Sequence, residues 1–165
     1  MLEKTGVATV KDLEGVIPNK QRLSKGPVAV IECFQKIPCD PCAAACPFGA
    51  IKPFDDINDL PEIDFDKCTG CAVCVSACPG LAIFVIDESY SSDKALVKLP
   101  YEMIPIPKKG DEVDGLDRSG NIRCSCIVEK VIKTKNKTNI VSVIVPKSLS
   151  MEIRNIRVRD KNNER

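Results

Sequence analysis

The chain has 165 residues, enough for one domain or two small ones, and its 24 basic and 23 acidic residues nearly cancel, with no polybasic run to hold nucleic acid. Ten cysteines and no histidine exclude Ser-His-Asp and Cys-His nucleophile systems, Cys₂His₂ zinc and most hydrolytic metal sites, and leave all-thiolate chemistry: Cys₄ zinc or iron–sulfur. No apolar stretch reaches the roughly 18 residues of a membrane-spanning helix, and "MLEKTGVATVKDLEGV" lacks the apolar core of a secretory signal, so a cytoplasmic protein is expected.

Residues 1–26 form an N-terminal arm, read as a docking segment. "PVAVIEC" (27–33) is an apolar run that predicts a strand leading into the first cysteine group, "CFQKIPCDPCAAACP" (33–47). A short helix is expected at "CAAAC", stopped by Pro47. Residues 47–67 are turn-rich, and Asp59, Pro61 and Asp64 argue against a long helix there. The second group, "CTGCAVCVSACP" (68–79), predicts another short helix, and "LAIFVID" (81–87) a second strand.

Beyond a polar joint, "DESYSSDK", the composition turns to β-rich runs. These are "ALVKLPYEMIPIP", "KKGDEVDGLDRSGNIRCSCIVEKVI" and "TNIVSVIVP", punctuated by Gly110, Gly115 and Gly120. They predict a small barrel or sandwich over residues 93–159, with a helix in "SLSMEIRNIRVR" closing it. Residues 160–165 read as a flexible tail. The fold class expected is α+β: a cysteine-rich repeat over 27–88, then a small mostly-β domain.

The cysteine groups are an internal repeat. Cys39, Cys42 and Cys46 align with Cys71, Cys74 and Cys78, Pro47 with Pro79, Ala50 with Ala82 and Ile51 with Ile83. Residues 68–79 fit C-x₂-C-x₂-C-x₃-C-P at every position, the run whose first three cysteines wrap one face of a cubane while the fourth turns away to the other cluster. Small residues lie between or beside the ligands: Ala43, Ala44, Ala45, Gly70, Ala72, Val73, Val75 and Ala77. They leave room for a cluster and keep water away, or serve as ordinary helix and core residues. A Cys₄ zinc ribbon from Cys39, Cys42, Cys71 and Cys74 leaves Cys33, Cys46, Cys68 and Cys78 unexplained.

On these residues the chain resembles the 2[4Fe–4S] ferredoxin family over about residues 27–88. The resemblance implies that Cys68, Cys71, Cys74 and Cys46 hold one [4Fe–4S] cluster, and that Cys39, Cys42 and Cys78 hold three corners of the other. The family's next cysteine falls on Lys36, which is no ligand; Cys33 stands three residues earlier. Either Cys33 supplies the corner across an enlarged "FQKIP" loop, or it is a core cysteine and that cluster is [3Fe–4S].

Cys124 and Cys126, in "CSC", fall in a predicted strand with both thiols on one face. They read as interior packing, as half of a site shared with a partner subunit, or as an oxidation-prone pair.

An all-cysteine cubane has no open position for substrate, and the glycines of "KKGDEVDGLDRSGN" make neither G-x-G-x-x-G nor a phosphate-binding loop. The chain is therefore expected to move electrons and to catalyse nothing alone. Nearly its whole length also resembles small iron–sulfur subunits of FAD-dependent amino-acid or amine dehydrogenases of anaerobes, including proline- and hydroxyproline-type enzymes. The stretches that carry this are "GPVAVIECFQKIPCDPC", "DDINDLPEIDFDKCTGC", "CPGLAIFVID" and "LVKLPYEMIPIPKKGDEVDGLDRSG". That resemblance implies a hetero-oligomer with FAD on a partner subunit, none on this chain, and a ligand role for Cys33. A stand-alone dicluster ferredoxin with an appended domain is the alternative.

Overall fold

In the computed structural model, which describes residues 2–159, two four-to-five-residue strands carry the cysteine loops between them. The tail expected at 160–165 lies outside the described residues. Strand β1 (Val28–Ile31) pairs antiparallel with β2 (Ile83–Asp87), from Val28 opposite Ile86 to Ile31 opposite Ile83. Alternation sends Val28, Val30, Phe84 and Ile86 to one core, and Ala29, Ile31, Ile83 and Val85 to another that contains the cysteines. Both faces are covered, so all of β1 is buried and reads as a continuous apolar run.

Five more strands continue the same sheet: β3 (Lys94–Tyr101), β4 (Glu112–Leu116), β5 (Ile122–Ile132), β6 (Asn139–Pro146) and β7 (Asn155–Val158). The order is β1-β2-β3-β6-β5-β4-β7, with every neighbour antiparallel. The β2–β3 pairing carries the sheet across the polar joint. One face gives residues from every strand to a common core, among them Val28, Phe84, Val97, Val143, Val128, Val113 and Ile156. Burying a Val or Ile side chain fully is worth roughly 1.5–3 kcal/mol, so this shared face holds the two halves together.

The barrel or sandwich expected over 93–159 does not form. The strands make one sheet, curled around its inner face, whose edge strands β1 and β7 do not pair with each other. Register shifts between Gly115 and Leu116 and between Val128 and Lys130 bend the sheet. Both edge strands are short, four residues each. Where a closed barrel would have a backbone ladder, side chains bridge the gap: Glu32, just past β1, accepts from Arg154, just before β7.

The closing helix expected in residues 148–159 is also absent. The chain makes a 3₁₀ turn at Lys147–Leu149 and then β7, laddered to β4 from Val113–Val158 to Leu116–Asn155. Ile153 and Ile156 are both buried. Their three-residue spacing suits a helix, but a turn followed by an alternating strand buries the same two side chains.

Four short helices complete the fold: α1 (Leu2–Thr5), α2 (Lys20–Ser24), α3 (Pro41–Ala45) and α4 (Val73–Ala77). Asn19 caps α2 by accepting from the Arg22 N–H. The N-terminal segment is anchored by the buried side chains of Leu13 and Leu23. No helix among the described residues is long and apolar enough to cross a membrane.

Candidate metal centres

α3 and α4 explain how each cysteine run serves two places. Each helix is five residues long and ends at a cysteine in extended conformation: Cys46 (φ −74°, ψ 107°) and Cys78 (φ −76°, ψ 113°). Pro47 and Pro79 follow, and a residue before proline is turned away from the helical region. The fourth cysteine of each run is thereby swung off its helix.

Two cavities receive the thiols. One is lined by Cys68, Cys71 and Cys74 of the second run and Cys46 of the first. The other is lined by Cys39, Cys42 and Cys33 of the first run and Cys78 of the second. The walls are mostly apolar: Ala29, Ala50, Ile51 and Ile63 around the first, with Thr69, and Ile31, Phe54 and Ile83 around the second, with Gln35 and Asp59. Lys36 lines neither; its exposed side chain pairs with Asp59, 3.7 Å away, at the rim of the second cavity. The Cys124 and Cys126 pair lies in β5, away from both cavities.

The donor set fits iron–sulfur clusters. Each ring consists of four thiols around a volume, and among the described residues no three Cys, Asp or Glu side chains converge on a single-ion point. Burial, then neighbouring thiolates, push the Cys74 thiol up to about 12. Burial chiefly raises Cys42 to about 11, despite a backbone hydrogen bond. Cys33 and Cys39 are raised by burial and by Cys78 beside them. A ring of thiols that penalise one another's charge needs a cationic filling before all four can ionise.

Backbone amides are already turned to the sulfurs. Burial works against the Cys46 thiolate, but amides of Ile51, Phe48, Ala50 and Gly49 outweigh it and hold Cys46 below the usual thiol range. The Ala50 N–H donates to Cys46 Sγ at 3.3 Å, and its repeat counterpart Ala82 donates to Cys78 Sγ at 3.5 Å. Ala29 donates to Cys68 Sγ at 3.3 Å. Hydrogen bonds to cluster sulfurs are one of the protein's levers on reduction potential.

Several supporting residues carry no motif, and spacing alone does not point to them. Arg22 donates to the carbonyls of Phe65 (2.7 Å), Gly26 (3.1 Å), Pro27 (3.1 Å) and Cys68 (2.7 Å), clamping the start of the second run. Lys98 of β3 donates to the Gly70 carbonyl at 2.9 Å, and burial lowers its ammonium below the usual lysine range. Gly70 has φ +66°, and a Cβ there would lie 2.5 Å from Pro27 Cβ, so only glycine fits.

Glu32, next to Cys33, accepts from Arg118 at 2.8 and 2.6 Å and from Arg154 at 2.7 Å. Burial opposes the charge, but the two arginines outweigh it and hold the carboxyl below the usual glutamate range. Arg154 also stacks over the Phe84 ring, 5.0 Å from its centroid. The available signal was Glu32 itself, a charge at the end of an otherwise wholly apolar strand.

Cavities ringed by four cysteines, reached by two interlocked runs, are the arrangement that a dicluster ferredoxin domain would need. Residues 33–82 match the 4Fe-4S dicluster domain family. Part of the chain is similar to subunits of several oxidoreductases. Pyruvate synthase subunit PorD of Methanocaldococcus jannaschii is 40% identical over 52 residues, covering 32% of this chain and 58% of the relative. A selenate reductase subunit from Mesobacillus selenatarsenatis is 35% identical over 89 residues, covering 50% and 30%. The thiosulfate reductase electron transfer subunit PhsB of Salmonella typhi is 32% identical over 66 residues, covering 37% and 33%. The chain thus spans less than two thirds of each of these relatives. No solved structure matches.

Proposed function

We propose that this protein is the electron-transfer subunit of a cytoplasmic oxidoreductase complex, with one [4Fe–4S] cluster on Cys33, Cys39, Cys42 and Cys78 and another on Cys46, Cys68, Cys71 and Cys74. The observation that carries this is the exchange of fourth cysteines, which puts four thiols around each of two cavities. Each cluster, when bound, supplies a one-electron couple. The chain's own residues hold the sulfurs, aim amides at them and keep water out with Ala, Ile and Phe side chains. All ligand positions are taken by thiolates, so substrate chemistry belongs to another subunit.

The partner we infer carries FAD and oxidises an amino acid or amine, releasing two electrons that this chain accepts singly and hands to an external acceptor. The whole-length sequence resemblance supports the flavin partner, and relatives that bear the names of complex subunits support only a place in a multi-subunit oxidoreductase. Two exposed segments suit docking. Met103 and Ile104, in the proline-rich loop after β3, are 49% and 88% exposed, and Val10 of the N-terminal arm is 83% exposed.

Anaerobic purification from the native source tests both levels. About eight iron atoms per chain and two interacting reduced cluster signals by EPR are expected. About seven, with an oxidised [3Fe–4S] signal, would show that Cys33 is core. A stoichiometric FAD protein should co-purify; a lone chain with full iron content would favour the stand-alone ferredoxin and remove the FAD partner.

A further inference from the structure

The two rings leave Cys124 and Cys126 unused. Both project from one face of β5, while Ser125 between them points outward to Glu112. Their sulfurs are 3.5 Å apart. Gly115 of β4 lies opposite Cys124, and a Cβ there would sit 2.6 Å from Cys126 Sγ and 3.2 Å from Cys124 Sγ. Its φ lies outside the left-handed range, so the backbone does not demand glycine. The missing side chain vacates space that the two sulfurs share. Cys126 is buried at 1% exposure, and Cys124 is partly accessible.

We propose that Cys124 and Cys126 form a redox-active dithiol that a low-molecular-weight disulfide oxidises to a bridge within one strand. The Cys124 thiolate attacks one sulfur of the oxidant, forming a mixed disulfide and expelling the first thiolate. Cys126 then attacks Cys124 Sγ, closing the protein disulfide and expelling the second. Two protein thiols lose two electrons, the oxidant gains them, and the two thiol protons end on the two small thiols released.

The geometry sets the character of the bond. At about 3.4 Å rise per residue, alternate Cα atoms of a strand stand roughly 6.8 Å apart, at the upper edge of the ~4.4–6.8 Å disulfide range. The register shift beside Gly115, which pairs Leu116 with Ile122 and leaves Arg123 out, adds local twist next to the pair. A bridge at this limit is strained, hence readily reduced, and acts as a reversible mark instead of a structural staple.

The test uses anaerobically purified holoprotein treated with glutathione disulfide, quenched in acid, alkylated and digested with trypsin. Cleavage after Arg123 and after Lys130 releases residues 124–130, a peptide with these two cysteines and no others. It is expected to carry no alkyl group, to weigh two hydrogen masses less than the dithiol, and to regain both thiols after dithiothreitol. C126S should stop at a glutathione adduct on Cys124. A wild-type peptide alkylated at both cysteines, or one holding a lasting glutathione adduct, would overturn the proposal.

Discussion

The two cysteine runs end alike and begin differently. Both finish with a five-residue helix, a cysteine turned out before proline and an alanine amide donating to its sulfur. The second run begins with a tight turn through Gly70 and Ala72, at φ +66° and +70°, wedged against Pro27 and clamped by Arg22 on the Cys68 carbonyl. The first has no left-handed residue between Cys33 and Cys46. Cys33 instead leaves the end of β1 directly, and the intervening loop returns at Cys39, whose N–H donates to the Ile57 carbonyl at 3.1 Å. A thiol can thus be brought to a cavity by a strained local turn, or by a rigid strand end with slack behind it. The rigidity in the second case is tertiary: it comes from Glu32, Arg118 and Arg154.

The strongest way to break the comparison is to remove shared features. C74S should cost about half the iron, roughly four atoms per chain, and erase one cluster signal. C46S, although in the first run, should perturb that same signal and leave the other intact. Loss of the Cys33-side signal in C46S would mean that the fourth cysteines do not cross.

The next effect separates the two beginnings. Gly70→Ala combines a positive φ with a backbone and side-chain collision, so the second-run cluster should be lost while the first remains. Iron content and EPR of the purified variant decide this; full iron content would mean that the turn tolerates a side chain.

A smaller change is expected at the stretched corner. C33S should lower iron to about seven atoms with a [3Fe–4S] signal. Adding K36C to C33S should not restore the eighth, because Lys36 is exposed and does not line the Cys33 cavity. Restoration would show that the loop can adopt the regular spacing.

The smallest effect on iron is expected from the strand anchor. E32Q leaves Arg154 and Arg118 without their carboxylate, and breaking such a buried pair costs roughly 3–5 kcal/mol. Denaturant titration should show that loss with iron content initially unchanged. Faster iron loss from the Cys33 ring on incubation with a chelator would tie the anchor to that corner; equal loss from both rings would not.

Much of this organisation was legible in the chain. Strong apolar runs at 27–33 and 81–87 announced β1 and β2, because a strand buried on both faces has no polar positions to confuse the pattern. The barrel and the closing helix expected from the sequence are absent for reasons that local pattern does not carry. Ile153 and Ile156 satisfy helical spacing, and closure depends on whether two edge strands meet, which periodicity does not record.

By itself the sequence determined the chemistry: thiols spaced two or three apart, proline after the fourth, no histidine, and therefore an all-sulfur site. Spacing is a local property, and the geometry of a short cysteine run follows from its own backbone. Tertiary structure alone decided that Cys33 lines the same cavity as Cys39, Cys42 and Cys78, that Arg22 clamps Cys68, and that Glu32 joins the two edges of the sheet. It also decided that Gly115 opens space for Cys124 and Cys126. These contacts span long stretches of chain, and their partners are chosen by which faces of a curled sheet the core brings together.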